Sequence, residues 1–449
     1  MTTTLVSPTK IELGTSRQSV KPQRAAAAEP EVVKHPELRE KRAGRLGRCL
    51  WLALACLLLP PQVLRSPAEV SERAARIHQQ ALVFDAHLHA INRHFYFGGH
   101  IGESLSDGHF DLPRAKKGGL DAMFLSLYIA EEYYPARFET KQSLRLIDFC
   151  LDQIAKNRDL IEVALNASDI ERIQRKGKIA AVLDIEGGFD LDGDLAVLRD
   201  LHRLGVRVIQ LPAHNWANQF ADSCCAPGKW HGLNDHGRAV IREMNRLGIV
   251  INVSHASDET LEQAVEASSV PVIATHHGLR SFNDIPRNMP ERLLKKLAAK
   301  GGVIGFQIGS DFHSRKFFDW KTKTTGKVFW DRSGIGHKES LLSIAEIDKR
   351  VAAQYPGDYF GMSAPDDLKL SVDGWVEVVD RAIQLVGEDS VALGTDLDGG
   401  PTLPRGMRDV SDLAMITDAM LRRGYTEQRI QKFLGGNLLR VFRQITEKR

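Results

Sequence analysis

"ALVFDAHLHA", residues 81–90, is an apolar run that ends in two histidines spaced two apart. Spacing of i, i+2 puts His87 and His89 on one face of an extended chain, so both can reach a common point. Seven further runs share the apolar part of this pattern: "DAMFLSLYI" (121–129), "IAAVLDIEG" (179–187), "VRVIQLPAH" (206–214), "IVINVSH" (249–255), "VPVIATHH" (270–277), "GVIGFQIG" (302–309) and "SVALGTDLDG" (390–399). A strand with one wet face alternates apolar and polar residues. These runs are apolar almost throughout and rich in Val and Ile, which suits strands buried on both faces of a parallel sheet. Helical patterns lie between them. In "DHGRAVIREMNRLG" (235–248), Val240, Ile241, Met244 and Leu247 form one stripe and Gly248 ends the helix, while Ser257 caps the next one. Eight strand–helix units predict an α/β chain closed as a (β/α)8 TIM barrel. An open doubly wound sheet is the alternative, but no glycine-rich phosphate-binding turn follows the first run.

The chain has 449 residues, 43% hydrophobic and 26% charged, which is globular composition with room for one large domain or two modest ones. A formal charge of +3 gives no case for nucleic acid as a partner. Cys49, Cys56, Cys150, Cys224 and Cys225 are too few and too irregular for a disulfide framework or a CxxC zinc site, although a single disulfide is compatible with them. Residues 1–47 have the composition of a disordered basic tail. "CLWLALACLLL" (49–59), behind the basic "KRAGRLGR" (41–48) and before Pro60-Pro61, falls short of the ~20 apolar residues that span a bilayer but fits the core of an export signal. A buried core helix is the other reading. The expected organisation is therefore a tail (1–47), a hydrophobic export signal or anchor (48–64) and a catalytic barrel (65–449). The barrel is expected outside the cytoplasm, exported or membrane-anchored.

Chemistry in such barrels collects at the C-terminal ends of strands. His87 and His89 end the first run, Glu186 the third, His214 the fourth, His255 the fifth, His276 and His277 the sixth, and Asp396 with Asp398 the eighth. A single histidine closing a strand is more often hydrogen-bonded or solvated than a ligand. Imidazole and carboxylate at most strand ends of one chain, however, are the ligand set of zinc and similar divalent ions. No Gly-x-Ser-x-Gly motif and no Ser-His-Asp or Cys-His arrangement offers a protein nucleophile. Asp398 reads either as a residue that orients a ligand or as a turn former before Gly399-Gly400. Trp230, in "CCAPGKWHG" (224–232), reads as a pocket wall or a subunit contact. The basic, aromatic insertion 313–334 is weak as a nucleic-acid signal and is expected to form a lid.

"AHLHA", "DIEGG", "LPAHNWAN", "LGIVINVSHAS", "PVIATHHGLRSFNDIPRNMPE" and "LGTDLDGGPTLPRGMRDVS" follow one another in an order and spacing that resembles the membrane (renal-type) dipeptidases of the metal-dependent amidohydrolase superfamily. The resemblance runs from about Leu82 to the C-terminal "GGNLLRVF". It implies a hydrolase with two zinc ions per chain that cleaves dipeptides by attack of a metal-bridging hydroxide. Carried over by position, His87 and His89 hold one zinc, Glu186 bridges both, and His255 with His276 holds the second. His276 is preferred to His277 because it fills the family's single histidine position. His214 polarises the substrate carbonyl, Arg287 binds the substrate carboxylate and Asp396 shuttles the proton. One departure stands out: the family usually has His-x-Asp where this chain has His87-Leu88-His89, which makes the metal pair more positive by one charge. Other readings are a different amidohydrolase reaction, on an N-acyl amino acid, lactone or related amide, or a non-catalytic metal-binding surface barrel. Asp396 and Arg287 argue against the last, since a purely structural metal site needs neither; Arg287 alone could also be a loop anchor. The expected partner is a small dipeptide and not nucleic acid, with a membrane tether through 49–64 and a homodimer left open.

Overall fold

The computed structural model describes residues 70–130, 138–187, 194–212, 218–326, 328, 330, 343–354 and 362–447. The basic tail, the apolar run at 49–59, both N-terminal boundaries and His214 lie outside the described residues. Among those described, no helix is long and apolar enough to cross a membrane.

Each of the eight apolar runs contains a strand. In chain order the strands are β1 (Phe84–Leu88), β2 (Ala122–Tyr128), β3 (Ile161–Val163), β4 (Ile179–Glu186), β5 (Val206–Gln210), β6 (Val250–Asn252), β7 (Ile273–His277), β8 (Val303–Phe306) and β9 (Val391–Leu393). Neighbours pair in parallel in the order β1-β2-β4-β5-β6-β7-β8-β9. The short β3 lies off this path and pairs with the start of β4, whose later residues pair with β5. The ring closes through hydrogen bonds from the Asp396 amide to the His87 carbonyl (2.9 Å) and from the His89 amide to the Leu397 carbonyl (2.9 Å). This is a (β/α)8 barrel.

The alternation within each strand separates two environments. Inward residues near the strand starts, such as Ala122, Phe124, Ala180, Val182, Val208 and Val303, form one apolar cluster that the C-terminal helix Asn437–Thr446 plugs with Leu438, Val441, Phe442 and Ile445. Outward residues such as Met123, Leu125, Ala181 and Leu183 pack in the layer beneath the surrounding helices. Two residues further along the same inward rows the chemistry changes, because Val182 is followed by Asp184 and Glu186 and Phe124 by Ser126. The apolar floor thus positions a buried polar layer at the strand ends. β1 and β7 depart from regular register between Asp85 and Leu88 and between Ala274 and His277, and these irregularities re-aim His87 and His276. The helices end as their sequences require. Asn234 caps Asp235–Leu247 by accepting from the Gly237 amide, Gly248 stops it at φ 74°, and Ser257 accepts from Thr260; each such cap stabilises by about 1 kcal/mol.

Candidate metal centre

Glu186 is the centre of the polar layer. Its Oε2 lies 3.0 Å from His87 Nε2 and 2.9 Å from His89 Nε2. Its Oε1 lies 3.2 Å from His255 Nε2 and 3.4 Å from His276 Nε2. Each carboxylate oxygen therefore faces one histidine pair. Asp396 joins the first pair, with Oδ1 3.1 Å from His89 Nε2 and 3.9 Å from His87 Nε2. All six side chains are buried, Asp396 being the most exposed at 8%. Their potential ligand atoms form two groups within 4.8 Å, His87–His89–Asp396 and His87–Glu186–His276.

Donor chemistry tests whether this cluster fits a metal. The Nε2 atoms of His87 and His89 are 3.0 Å apart, and those of His255 and His276 are 3.1 Å apart. His87 Nδ1 stands 3.3 Å from Asp184 Oδ2, and His276 Nδ1 stands 3.0 Å from the Thr275 hydroxyl. The Asp184 carboxylate favours the Nδ1–H tautomer of His87, which turns its Nε2 lone pair toward His89 and Glu186, and the Thr275 hydroxyl can accept in the same way from His276. Lone pairs converging at that distance need protons or cations between them. The residues fit a pair of divalent ions.

The electrostatics divide the two sides. Burial works against protonation of His87, but Glu186 and Asp184 outweigh it and hold the ring up to about 10. His89 is likewise held up to about 9, chiefly by Glu186 and Asp396 against burial. On the other side burial and the Arg287 cation push His255 down to about 3, and burial, His87 and Arg287 drive His276 well below its ordinary value. Glu186, though buried, is kept well below the usual carboxylate range by His87 and His89.

Arg287 is almost fully buried. Its Nη2 donates to the His276 carbonyl at 2.9 Å, its plane lies over the Phe312 ring at 5.2 Å, and its Nε and Nη1 have no hydrogen-bond partner among the described residues. The backbone is also unusual here. Of the four non-glycine residues with positive φ among those described, three are His255 (62°), Asp396 (62°) and Asp398 (58°). Left-handed backbone at residues other than glycine concentrates where function dictates side-chain direction.

A family model described as membrane dipeptidase, peptidase family M19, matches residues 71–449. The chain belongs to the membrane dipeptidase family. It is an enzyme of the metallo-dipeptidase class. Dipeptidase tcpJ of Claviceps purpurea (strain 20.1) is 28% identical over 351 residues, covering 76% of this chain and 70% of that protein. Dipeptidase 3 of Rattus norvegicus is 28% identical over 358 residues, covering 77% of this chain but only 60% of its own length. Among solved structures, the probable dipeptidase PvdM from Pseudomonas aeruginosa superposes with a TM-score of 0.68 at 22% identity, covering 85% of this chain and all of that one. The metallo peptidase from Rhodobacter sphaeroides, solved with a phosphinate mimic of L-Ala-D-Ala, gives 0.63 at 21% identity over 81% of this chain and 99% of that one. Both similarities are of fold.

Within this membrane dipeptidase family member, the structure gathers His87, His89, Glu186, His255, His276 and Asp396 at one point and sets Arg287 beside them. His214 lies outside the described residues. His277 is buried but makes none of the Glu186 contacts. Asp398 Oδ1 accepts from the His109 amide at 2.5 Å, which ties the loop before Leu112 to the end of β9; burial pushes its carboxyl up to about 7. Trp230 spends its indole N–H on the Asn218 carbonyl within its own loop at 2.9 Å.

Several contributors escape a reading of strand ends alone. Asp184 behind His87 could have been found by the i, i+2 rule, since it precedes Glu186 by two in "LDIEG". Asp85 accepts from the amides of His87 (3.1 Å) and Thr395 (2.9 Å), which joins β1 to the last strand. Adjacent Cys224 and Cys225 form a disulfide, and the Cys224 amide donates to the His255 carbonyl at 2.7 Å. Cys150 is free and buried.

Proposed function

We propose that this protein hydrolyses the peptide bond of dipeptides with two zinc ions per chain. The observation that carries the reading is the division of Glu186, one oxygen toward His87 and His89 and the other toward His255 and His276. In this reading His87, His89 and Glu186 hold one ion, and Glu186, His255 and His276 the other. Two bound zinc ions supply a water ionised near neutral pH and a Lewis acid for the scissile carbonyl. Asp396, whose Oδ1 faces the first pair, takes up the nucleophile's proton and returns it to the leaving amine. His214 donates to the carbonyl oxygen as negative charge develops there. Arg287 meets the dipeptide carboxylate with the donors it has left and so orients the amide over the centre. Burial of His87, His89, Glu186, His255, His276, Asp396 and Arg287 strengthens the contacts they make.

The proposed organisation keeps the tail at 1–47, the export signal or anchor at 48–64 and the barrel from 65 onward, with the barrel outside the cytoplasm. A disulfide between Cys224 and Cys225 supports an oxidising compartment. The test is hydrolysis of a panel of L,L and L,D dipeptides by purified protein, before and after chelation and zinc return. Turnover that is lost with the metal and restored by zinc is expected. A zinc-reconstituted protein that cleaves no member of the panel would overturn the reading.

A further inference from the structure

Gln307 follows β8 and is buried, 1% exposed, with every polar group committed. Its amide donates to the His277 carbonyl at 3.0 Å. Its carbonyl accepts from Trp375 Nε1 at 2.8 Å and sits 2.5 Å from His313 Nε2. Its side-chain Oε1 accepts from the Gly309 amide. An amide N–H can only donate, so the Gly309 contact fixes which end of the side-chain amide is oxygen. The NH2 end must point the other way, and there Nε2 donates to Asp396 Oδ2 at 3.1 Å.

We infer that Gln307 is a positioning residue for the proton carrier: its non-inverting amide occupies Asp396 Oδ2 permanently and leaves Oδ1, the oxygen beside His89 and His87, as the atom that exchanges the proton. This rests on the proton role proposed for Asp396. A carboxylate whose two oxygens are equivalent can rotate and present either; one held on a fixed donor cannot. The left-handed backbone at Asp396 sets the side chain's starting direction, and Gln307 sets its final angle. Alignment of this kind is felt in the chemical step more than in substrate binding, because the same atoms must meet the leaving amine in the transition state.

The test uses the zinc-reconstituted full chain with Gln307→Leu and Gln307→Met, each of which removes the donor for Asp396 and leaves no second carboxyl group to replace it. Both are expected to lower kcat at least tenfold with KM within about threefold of wild type and an unchanged zinc content. In an Asp396→Asn background, assayed in single turnover, the same substitutions should cost less than about twofold, because residues that act as one unit are not additive. Either variant retaining kcat within threefold overturns the inference. So does a loss in kcat that comes with lost zinc or a matching rise in KM, which would mark a merely structural role. Full activity of Asp396→Asn would instead overturn the proton role itself, whatever Gln307 does.

Discussion

The imidazole rings of His87 and His276 stack with centroids 3.7 Å apart and an interplanar angle of 22°, although β1 and β7 are not neighbours in the sheet. Each ring belongs to a different histidine pair, and Glu186 joins the pairs. Two ions held this way share one bridging carboxylate. Elemental analysis of the zinc-reconstituted protein is expected to give about two ions per chain, and Glu186→Ala or His255→Ala to lose at least one. A protein that holds no metal after reconstitution would end the metal reading.

Proton release should distinguish the two sites. In the metal-free chain Glu186 and Asp184 hold His87 up to about 10 and Glu186 with Asp396 holds His89 up to about 9, each against burial; since their Nε2 atoms lie 3.0 Å apart and cannot both carry a proton toward each other, the pair keeps at least one proton at neutral pH. A ligand imidazole must be neutral, so an ion entering this pair displaces protons. Its affinity therefore rises with pH through neutrality, by roughly tenfold per unit for each proton released. His255 is pushed down to about 3 by burial and Arg287, so it has no proton to lose at neutral pH. Calorimetric zinc titrations in buffers of different ionisation heat should show one pH-dependent event and one nearly pH-independent event. Two events with the same proton count would contradict this division.

His89, the position where the sequence departs from the His-x-Asp pattern that the family resemblance implies, touches both Glu186 (2.9 Å) and Asp396 (3.1 Å). A His89→Asp variant should keep its fold and its metal. The added negative charge makes ionisation of the attacking water harder, so the acid limb of the kcat/KM profile is expected to move to higher pH. An unmoved limb would mean that residue 89 does not touch the metals.

The carboxylate-binding role proposed for Arg287 makes it the source of selectivity for a free carboxylate. Arg287→Met should lower kcat/KM for dipeptides at least tenfold, or ~1.4 kcal/mol or more of transition-state stabilisation, with metal content intact. Amidated dipeptides should be poor substrates of the wild type and little worse for the variant. Equal cleavage of free and amidated dipeptides by the wild type would favour a broader amidohydrolase.

The barrel was legible because a strand buried on both faces has to be apolar along its whole length, and eight such runs recur. β3 was not, since three residues, Ile161 to Val163, are too few to display a period. The first strand reaches Leu88, beyond the apolar run's end at Asp85, because its last residues pair across the seam with Asp396 and Leu397. Residues of the centre that end strands could be found by position. Gln307 could not, because its importance comes from which of its two amide atoms faces Gly309, and no spacing encodes that. The same holds for the register shifts at His87 and His276, which are outcomes of packing between distant strands.

The hydrogen bonds that close the barrel are made by the peptide groups of His87, His89, Asp396 and Leu397 themselves. Asp85 reinforces this seam from the inside by accepting from the Thr395 amide, across a separation of 310 residues. Contacts this distant in sequence repay the entropy of ordering the chain only late in folding. A nascent chain that has formed β1 through β8 already owns both histidine pairs and Glu186, yet it lacks Asp396 and the seam that fixes His87 and His89. On the proposed mechanism, the proton carrier and the seam that steadies the first histidine pair are therefore supplied together, by the docking of the final strand.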